Sequence, residues 1–260
     1  MPKPHLVTIG PSHYCEKARW ALERAGVDYI ENAHAPVLHY GATLLRHGQR
    51  TTPLLVTPHG TIRDSTAILR HADKFVPEDQ RLFPADQEAL ADVEALEELF
   101  DRRLGPATRR LAYFHVIDDE PKLSQLVESG IPRAEQVLFR MGRRGIVAFL
   151  RWGLRIDPEG AKKSEARIES VFGEVECRLA RGRRYLVGDR LTAADLTFAA
   201  LAAPVVLPPE YGWPLPSIED GPPELLLLRD RLRSRPAGTF ALRLYKEERH
   251  RSAMPMAAGA

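Results

Sequence analysis

The residues best suited to chemistry stand in one short string, Gly10-Pro11-Ser12-His13-Tyr14-Cys15-Glu16-Lys17-Ala18-Arg19. A short apolar run, Leu6 to Ile9, precedes it, and a helical pattern with Ala18, Ala21, Leu22 and Ala25 follows it. The string is therefore a strand-to-helix turn, where unsatisfied backbone N–H groups and the helix dipole favour negative charge. A thiolate is stabilised in such a place, so the turn suits sulfur chemistry. Ser12 falls before the helix and Cys15 about one turn inside it. Without an activator Ser12 is neither a base nor a strong nucleophile, but its hydroxyl can donate a hydrogen bond to a bound thiolate and lower that thiol's pKa. Taken singly, Ser12 reads equally as an N-cap and Cys15 as a small core residue, with Cys15 reacting only if exposed. Cys177 falls in a helical stripe and is expected to pack.

The elements around this turn follow from periodicity. Strands are expected over Leu6–Ile9, Val27–Ile30, Pro53–Thr57 and Thr61–Arg63, with Pro58-His59-Gly60 as the turn between the last two. Gly26 stands where the first helix should be capped, and Pro36 to His47 reads as a short polar helix or loop. Asp64-Ser65-Thr66 opens a helix carrying Ile68, Leu69, Ala72 and Phe75. The order is β-α-β-α-β-β-α, with the first two strands parallel and the last two antiparallel. After Pro84 the strands stop. Leu90, Val93, Leu96, Phe100 and Leu104 form a helical stripe that should end at Gly105-Pro106, and Leu111, Phe114 and Ile117 form another. Gly142-Arg143-Arg144-Gly145 should interrupt a third helix, and Ile168, Phe172, Val175 and Leu179 mark a fourth. Thr192-Ala193-Ala194-Asp195 has the form of a capping box, flanked by Leu191 and Leu196 as a hydrophobic staple. Seven of the 21 prolines lie between Pro204 and Pro223, an irregular connection. Helices near Glu224–Ser234 and Pro236–Glu248 close the fold, and Met254–Ala260 should fray. The chain thus divides into a small α/β domain, 1–84, and an all-helical domain, 85–260, joined through Asp79–Asp86.

The turn resembles the active-site turn of the thioredoxin-like fold as found in glutaredoxins and glutathione transferases, with Ser12 where the first cysteine of a Cys-Pro-Tyr-Cys motif would be. Three further features stand in the order that resemblance demands. Thr52-Pro53 matches the family's cis-proline, whose preceding residue lends backbone groups to the cysteinyl part of glutathione. Asp64-Ser65 matches the acid-Ser or Gln-Ser pair that binds the γ-glutamyl end. Tyr185 to Asp195 is very similar to the Gly-Asp-x-x-Thr-x-Ala-Asp stretch of the transferases' helical domain, where Thr192 and Asp195 form a structural cap. The resemblance to the glutathione S-transferase family covers most of the chain and implies a serine-type member. It implies a thioredoxin-like N-terminal domain plus an all-helical bundle, glutathione as co-substrate, and a homodimer. Ser12 would stabilise the glutathione thiolate, Thr52 and Pro53 would align it, and Asp64 and Ser65 would hold its γ-glutamyl end. A small hydrophobic electrophile would bind against the helical domain, with Tyr113, Phe114 and Trp152 as candidate lining, each equally readable as core. His39, Gln49 and Arg50 are candidates for the glycyl carboxylate. Thr stands at position 52 where Val or Ile is commoner, and Asp64 is a shorter acid than the usual Glu or Gln. Two alternatives keep the same site: a glutathione-dependent reductase or isomerase, and a non-catalytic glutathione-binding protein.

Composition narrows the field from the other side. The 260 residues are 44% hydrophobic and 28% charged, enough for one or two domains with a sizeable core. Thirty-seven Lys and Arg against 35 Asp and Glu give +2, which argues against a nucleic-acid coat. Two cysteines exclude a disulfide scaffold or a Cys-rich zinc module. His34, His39 and His47 lack the spacing that would place metal ligands on one helical face, so no metal is expected. No Gly-x-Gly-x-x-Gly or Walker-type loop supports a nucleotide. No apolar run reaches membrane-spanning length, and Met1-Pro2-Lys3-Pro4 runs straight into a strand, so a cytoplasmic protein without a membrane partner is expected. Asp86 to Asp101 holds seven acidic residues and no basic one, whereas Arg133 to Arg155 holds six arginines; both read as solvated faces.

Overall fold

The computed structural model describes residues 2–47, 50–180, 182–215 and 222–253. Its first part runs β1 (His5–Thr8), α1 (His13–Arg24), β2 (Ile30–Ala33), α2 (His39–His47), β3 (Leu54–Thr57), β4 (Gly60–Arg63) and α3 (Ser65–Asp73). The sheet order is β2-β1-β3-β4. β1 pairs parallel with β2, His5 opposite Ile30, and antiparallel with β3, Leu6 opposite Leu55. β3 and β4 form the expected antiparallel hairpin, with Leu55 opposite Ile62. This is the thioredoxin-like arrangement that the turn motif implies.

The second strand begins three residues later than its alternation suggested, and the reason is local. Gly26 takes a positive φ of 63° just past α1. Its N–H reaches Glu23 O at 3.0 Å, and the Val27 N–H reaches Leu22 O, also at 3.0 Å. That paired closure is a Schellman motif, so Val27 ends the helix and packs on the core instead of starting a strand.

The second part is helical: α4 (Gln87–Leu99), α5 (Gly105–Val116), α6 (Glu120–Glu128), α7 (Arg133–Leu154), α8 (Pro158–Leu179), α9 (Ala193–Val206), α10 (Pro223–Arg233) and α11 (Pro236–Glu248). α9 is apolar all round and packs against α1, α4, α5, α10 and α11. Asp195 holds its start, accepting from the Thr192 N–H at 2.8 Å, the Thr192 hydroxyl at 2.7 Å and the Leu186 N–H at 2.8 Å. Leu191 and Leu196 are both buried beside it.

Several expectations are corrected. The chain does not stop at Gly105-Pro106: a π-helical turn, Phe100–Leu104, carries α4 into α5. Pro106 falls at the junction of the π turn with the first turn of α5. Gly105 serves packing, because a Cβ there would overlap the Tyr14 hydroxyl. α7 runs unbroken through Gly142 and Gly145, since two helix-weakening glycines are outweighed over 22 residues. Pro204 lies inside α9, two residues from its end, so the irregular connection starts later. Phe75 is 51% exposed, past the end of α3. Cys177 is exposed, two residues beyond buried Val175 and thus on the opposite face of α8. The acidic and basic blocks, read as separate faces, show no ion pair to each other among the described residues: Arg140, Arg143 and Arg151 pair with Glu128, Glu120 and Asp118 instead. Met254–Ala260 lies outside the described residues.

Candidate functional site

The turn after β1 ends in Ser12, the N-cap of α1, at φ −71° and ψ 125°. Its N–H is held by Ile9 O and its carbonyl by the Glu16 N–H, each at 2.9 Å. Its hydroxyl makes no capping bond to the helix. Ser12 and Thr52 both line a cavity of about 330 Å³ between the sheet domain and the helices. Apolar groups form most of the remaining wall, among them Val37, Val116, Phe149, Leu150 and Leu154. Among the described residues three cations also line it, Arg50, Arg109 and Lys122, and no Asp or Glu does.

Cys15 is fully buried behind the turn and off the cavity wall. Burial pushes its thiol pKa up, and the Arg19 charge and hydrogen bonds from Ser12 and Thr52 offset this only in part. A thiol so placed stays protonated at neutral pH. His13 is equally buried, with Nε2 2.9 Å from Gly105 O, so the ring is a neutral donor. Burial, reinforced by the Arg109 charge, lowers its pKa from 6.5 to about 3. Tyr14 donates to Asp101 O at 2.7 Å, and burial raises its phenol pKa. Beneath it, fully buried Lys17 lies 2.9 Å from both Glu97 Oε1 and Asp101 Oδ2. The π-helical turn thus presents Asp101 to two residues of α1 at once, which ties the turn to the helical domain.

The Thr52–Pro53 peptide is cis. Asp64 caps α3, its Oδ1 accepting from the Ala67 N–H at 2.8 Å. Its φ of 64° is in a region that residues with a Cβ rarely occupy. Ser65, the first helical residue, is buried. Pro53, Asp64 and Ser65 lie off the cavity wall, and Thr52, which precedes Pro53, lies upon it. His39 and Arg50 line the cavity, and His39 Nε2 donates to Arg50 O at 3.1 Å. Burial lowers the His39 pKa. Gln49 lies outside the described residues.

Of the aromatic candidates, only Tyr113 reaches the cavity. Phe114 packs in the core, and Trp152 is 78% exposed on the outer face of α7. Phe149 and Leu150, one turn earlier on α7, take the lining place instead. Sequence reasoning missed His13, Tyr14, Arg109 and Tyr211. His13 and Tyr14 were within the quoted motif but carried no signal of their own. Arg109 stands four residues before Tyr113, one helical turn along α5, and that spacing could have grouped them. Tyr211, in the proline-rich stretch, donates to Pro11 O at 3.1 Å, a contact across 200 residues. Among the described residues there is no cluster suited to a metal ion, and no helix is long and apolar enough to cross a membrane.

Comparisons with known proteins agree with this architecture. No curated protein sequence matches the chain. A glutathione S-transferase from Sinorhizobium meliloti 1021 superposes with a TM-score of 0.58 at 22% identity, covering 98% of this chain and 97% of that one. The β-etherase LigF from Sphingobium sp. strain SYK-6 gives 0.57 at 18% identity, covering 93% and 99%. A glutathione S-transferase from Methylobacterium radiotolerans JCM 2831, in complex with glutathione sulfonate, gives 0.53 at 20% identity over the whole of both chains. At these identities the likeness is one of fold. Residues 6–80 match the glutathione S-transferase N-terminal domain, and residues 145–236 match the glutathione S-transferase C-terminal domain. With both domains in their expected order, this chain belongs to the glutathione S-transferase family.

Proposed function

We propose that this protein is a glutathione transferase-like enzyme that activates the glutathione thiolate for attack on a small electrophile. One observation carries the reading: Ser12, whose hydroxyl makes no capping bond to the helix, lines an apolar cavity at the start of α1. In this reading Ser12 donates a hydrogen bond to the thiolate, and the α1 N-terminus adds its dipole. The Thr52 backbone, on the same cavity wall as Ser12, aligns the cysteinyl part next to Pro53. Ser65 offers the N-terminus of α3 to the α-carboxylate of the γ-glutamyl end, a ready anion site, while Asp64 faces the ammonium. Arg50 and His39 are the groups proposed for the glycyl carboxylate.

Lowering a thiol pKa from about 9 towards 6–7 raises the thiolate fraction at neutral pH roughly a hundredfold. The sulfur then forms a bond to the electrophilic carbon, the leaving group departs with its electron pair, and the thiol proton passes to solvent. Buried Cys15, with its raised pKa, supports borrowed sulfur over a protein thiol. We place the domain division at 84/85, just before α4, and propose on the family resemblance a cytoplasmic homodimer acting in detoxification. A crystal grown with glutathione tests the assignment: its sulfur should lie within hydrogen-bond distance of Ser12 Oγ. A sulfur lying closer to Cys15, or a disulfide to it, overturns the Ser12 role.

A further inference from the structure

Arg109 brings charge to the cavity that no described group answers. It lies on α5, one turn before Tyr113, and lines the apolar space facing the glutathione-side residues. Among the described residues Arg109 makes no hydrogen bond and no ion pair. Its Nε is buried with no partner at all. Lys122, the other cation on the helical wall, is already held by Asp119 at 2.8 Å. Among the described residues no carboxylate lines the cavity, and the nearby Asp101 carboxylate is engaged by Lys17 and Thr66. The Arg109 field reaches across the space, since it helps to hold His13 neutral.

A guanidinium stays protonated in proteins, and burying it unpaired is unfavourable. Its planar fork matches a carboxylate bidentately, which makes it selective for that geometry. Glutathione's own carboxylates have other proposed partners, at α3 and at Arg50 with His39. The unanswered charge therefore faces the space left for the second substrate.

We propose that Arg109 pairs with an acidic group on the electrophile, so that the cavity selects compounds apolar around the reacting carbon and anionic at one end. This rests on the glutathione-transferase reading above and names its substrate class. Lining by Tyr113, Val116 and Phe149 holds the apolar body, and Arg109 sets its orientation towards Ser12. Arg109 is a specificity-determining residue in this scheme and takes no proton.

A matched pair of aryl chlorides tests it: 4-chloro-3-nitrobenzoate and its methyl ester. In each, the thiolate carbon–sulfur bond forms at the chlorine-bearing carbon, chloride leaves with the electron pair, and the glutathione thiol proton goes to solvent. The readout is the ratio of kcat/KM for acid over ester, each corrected for its uncatalysed rate. Arg109→Met should lower that ratio by about 10- to 100-fold, the scale of a lost charge-assisted hydrogen bond. Arg109→Lys, which keeps the charge and loses the fork, should fall between the two. A ratio unchanged in a folded Arg109→Met protein, checked by thermal melting, overturns the proposal. Titration calorimetry of acid and ester into the glutathione-loaded protein separates this idea from the parent one. Arg109-dependent preference for the acid without turnover would uphold the pairing and sink the conjugation reading. Equal binding of acid and ester by the unmodified protein would sink the pairing, whatever the turnover.

Discussion

Arg249 Nε lies 2.6 Å from Glu16 Oε1, and both side chains are fully buried although 233 residues separate them. Glu16 also accepts from the Gly212 N–H at 3.2 Å. Gly212 is required there, because a Cβ would overlap the Arg249 guanidinium. The carboxylate thus fastens the end of the chain and the segment after α9 onto the first helix, directly behind the turn that carries Ser12. Tyr211, next to Gly212, reaches round to Pro11 O.

Removing one partner of this pair leaves the other charged and buried. Arg249→Met should therefore cost about 3–5 kcal/mol, read from the denaturant midpoint at constant m-value. Lys3→Met is the control. Lys3 meets Asp28 at 2.6 Å, but both side chains are more than half exposed, and the change should stay within about 0.5 kcal/mol. Equal effects from both variants would refute the clamp.

Ser12→Ala should lower conjugation kcat about 100-fold and raise the pKa of bound glutathione, followed by thiolate absorbance. Cys15→Ser should leave that pKa in place, because its thiol is off the cavity wall. The opposite pattern would return the chemistry to Cys15.

Asp64 serves α3 as a cap. Asp64→Ala should remove about 1 kcal/mol of stability through the lost bond to the Ala67 N–H. It also leaves a Cβ at a positive φ of 64°. If Asp64 faces the glutathione ammonium, KM for glutathione should rise about tenfold with kcat little changed. A stability loss with no change in KM would leave Asp64 as a cap alone.

His13 links stability to pH. Its pKa falls from 6.5 to about 3 on folding, so the unfolded chain binds the proton that the folded one refuses. Stability is then lost as pH falls below 6.5, by about 1.4 kcal/mol per pH unit, until roughly pH 3. Asp195 has the opposite sign. Its pKa rises from 3.8 to about 6, so the folded state takes up a proton first and gains as pH falls through that window. Denaturation of the unmodified protein against His13→Gln isolates the first effect: the unmodified protein should lose ground to the variant as pH drops from 6.5 towards 4. A pH-independent difference would show that His13 does not titrate this way.

What the sequence determined was local. Alternation and helical spacing marked all four strands, one of them three residues early, and most of the helices, because each depends on neighbours within a few positions. Ser12 at the head of α1, the Thr52-Pro53 pair, the Asp64 cap and the Thr192–Asp195 box were legible for the same reason: backbone geometry at a turn or helix end selects particular residue types. The misreading at Gly105 was a local signal overruled from a distance. Gly105 reads as a stop until Tyr14, 91 positions earlier, is packed upon it. Tertiary structure alone decided which charges are answered. The spacing of Glu16 and Arg249 says nothing of their pairing, and Trp152 cannot be told from Phe149 until α7 has turned one face to the cavity. Arg109 carries no motif in the sequence. Only the folded chain, which gives partners to Arg140, Arg143 and Arg151 but leaves the Arg109 Nε buried and unpaired on the cavity wall, singles it out, because the energy of a buried charge depends on what surrounds it in space.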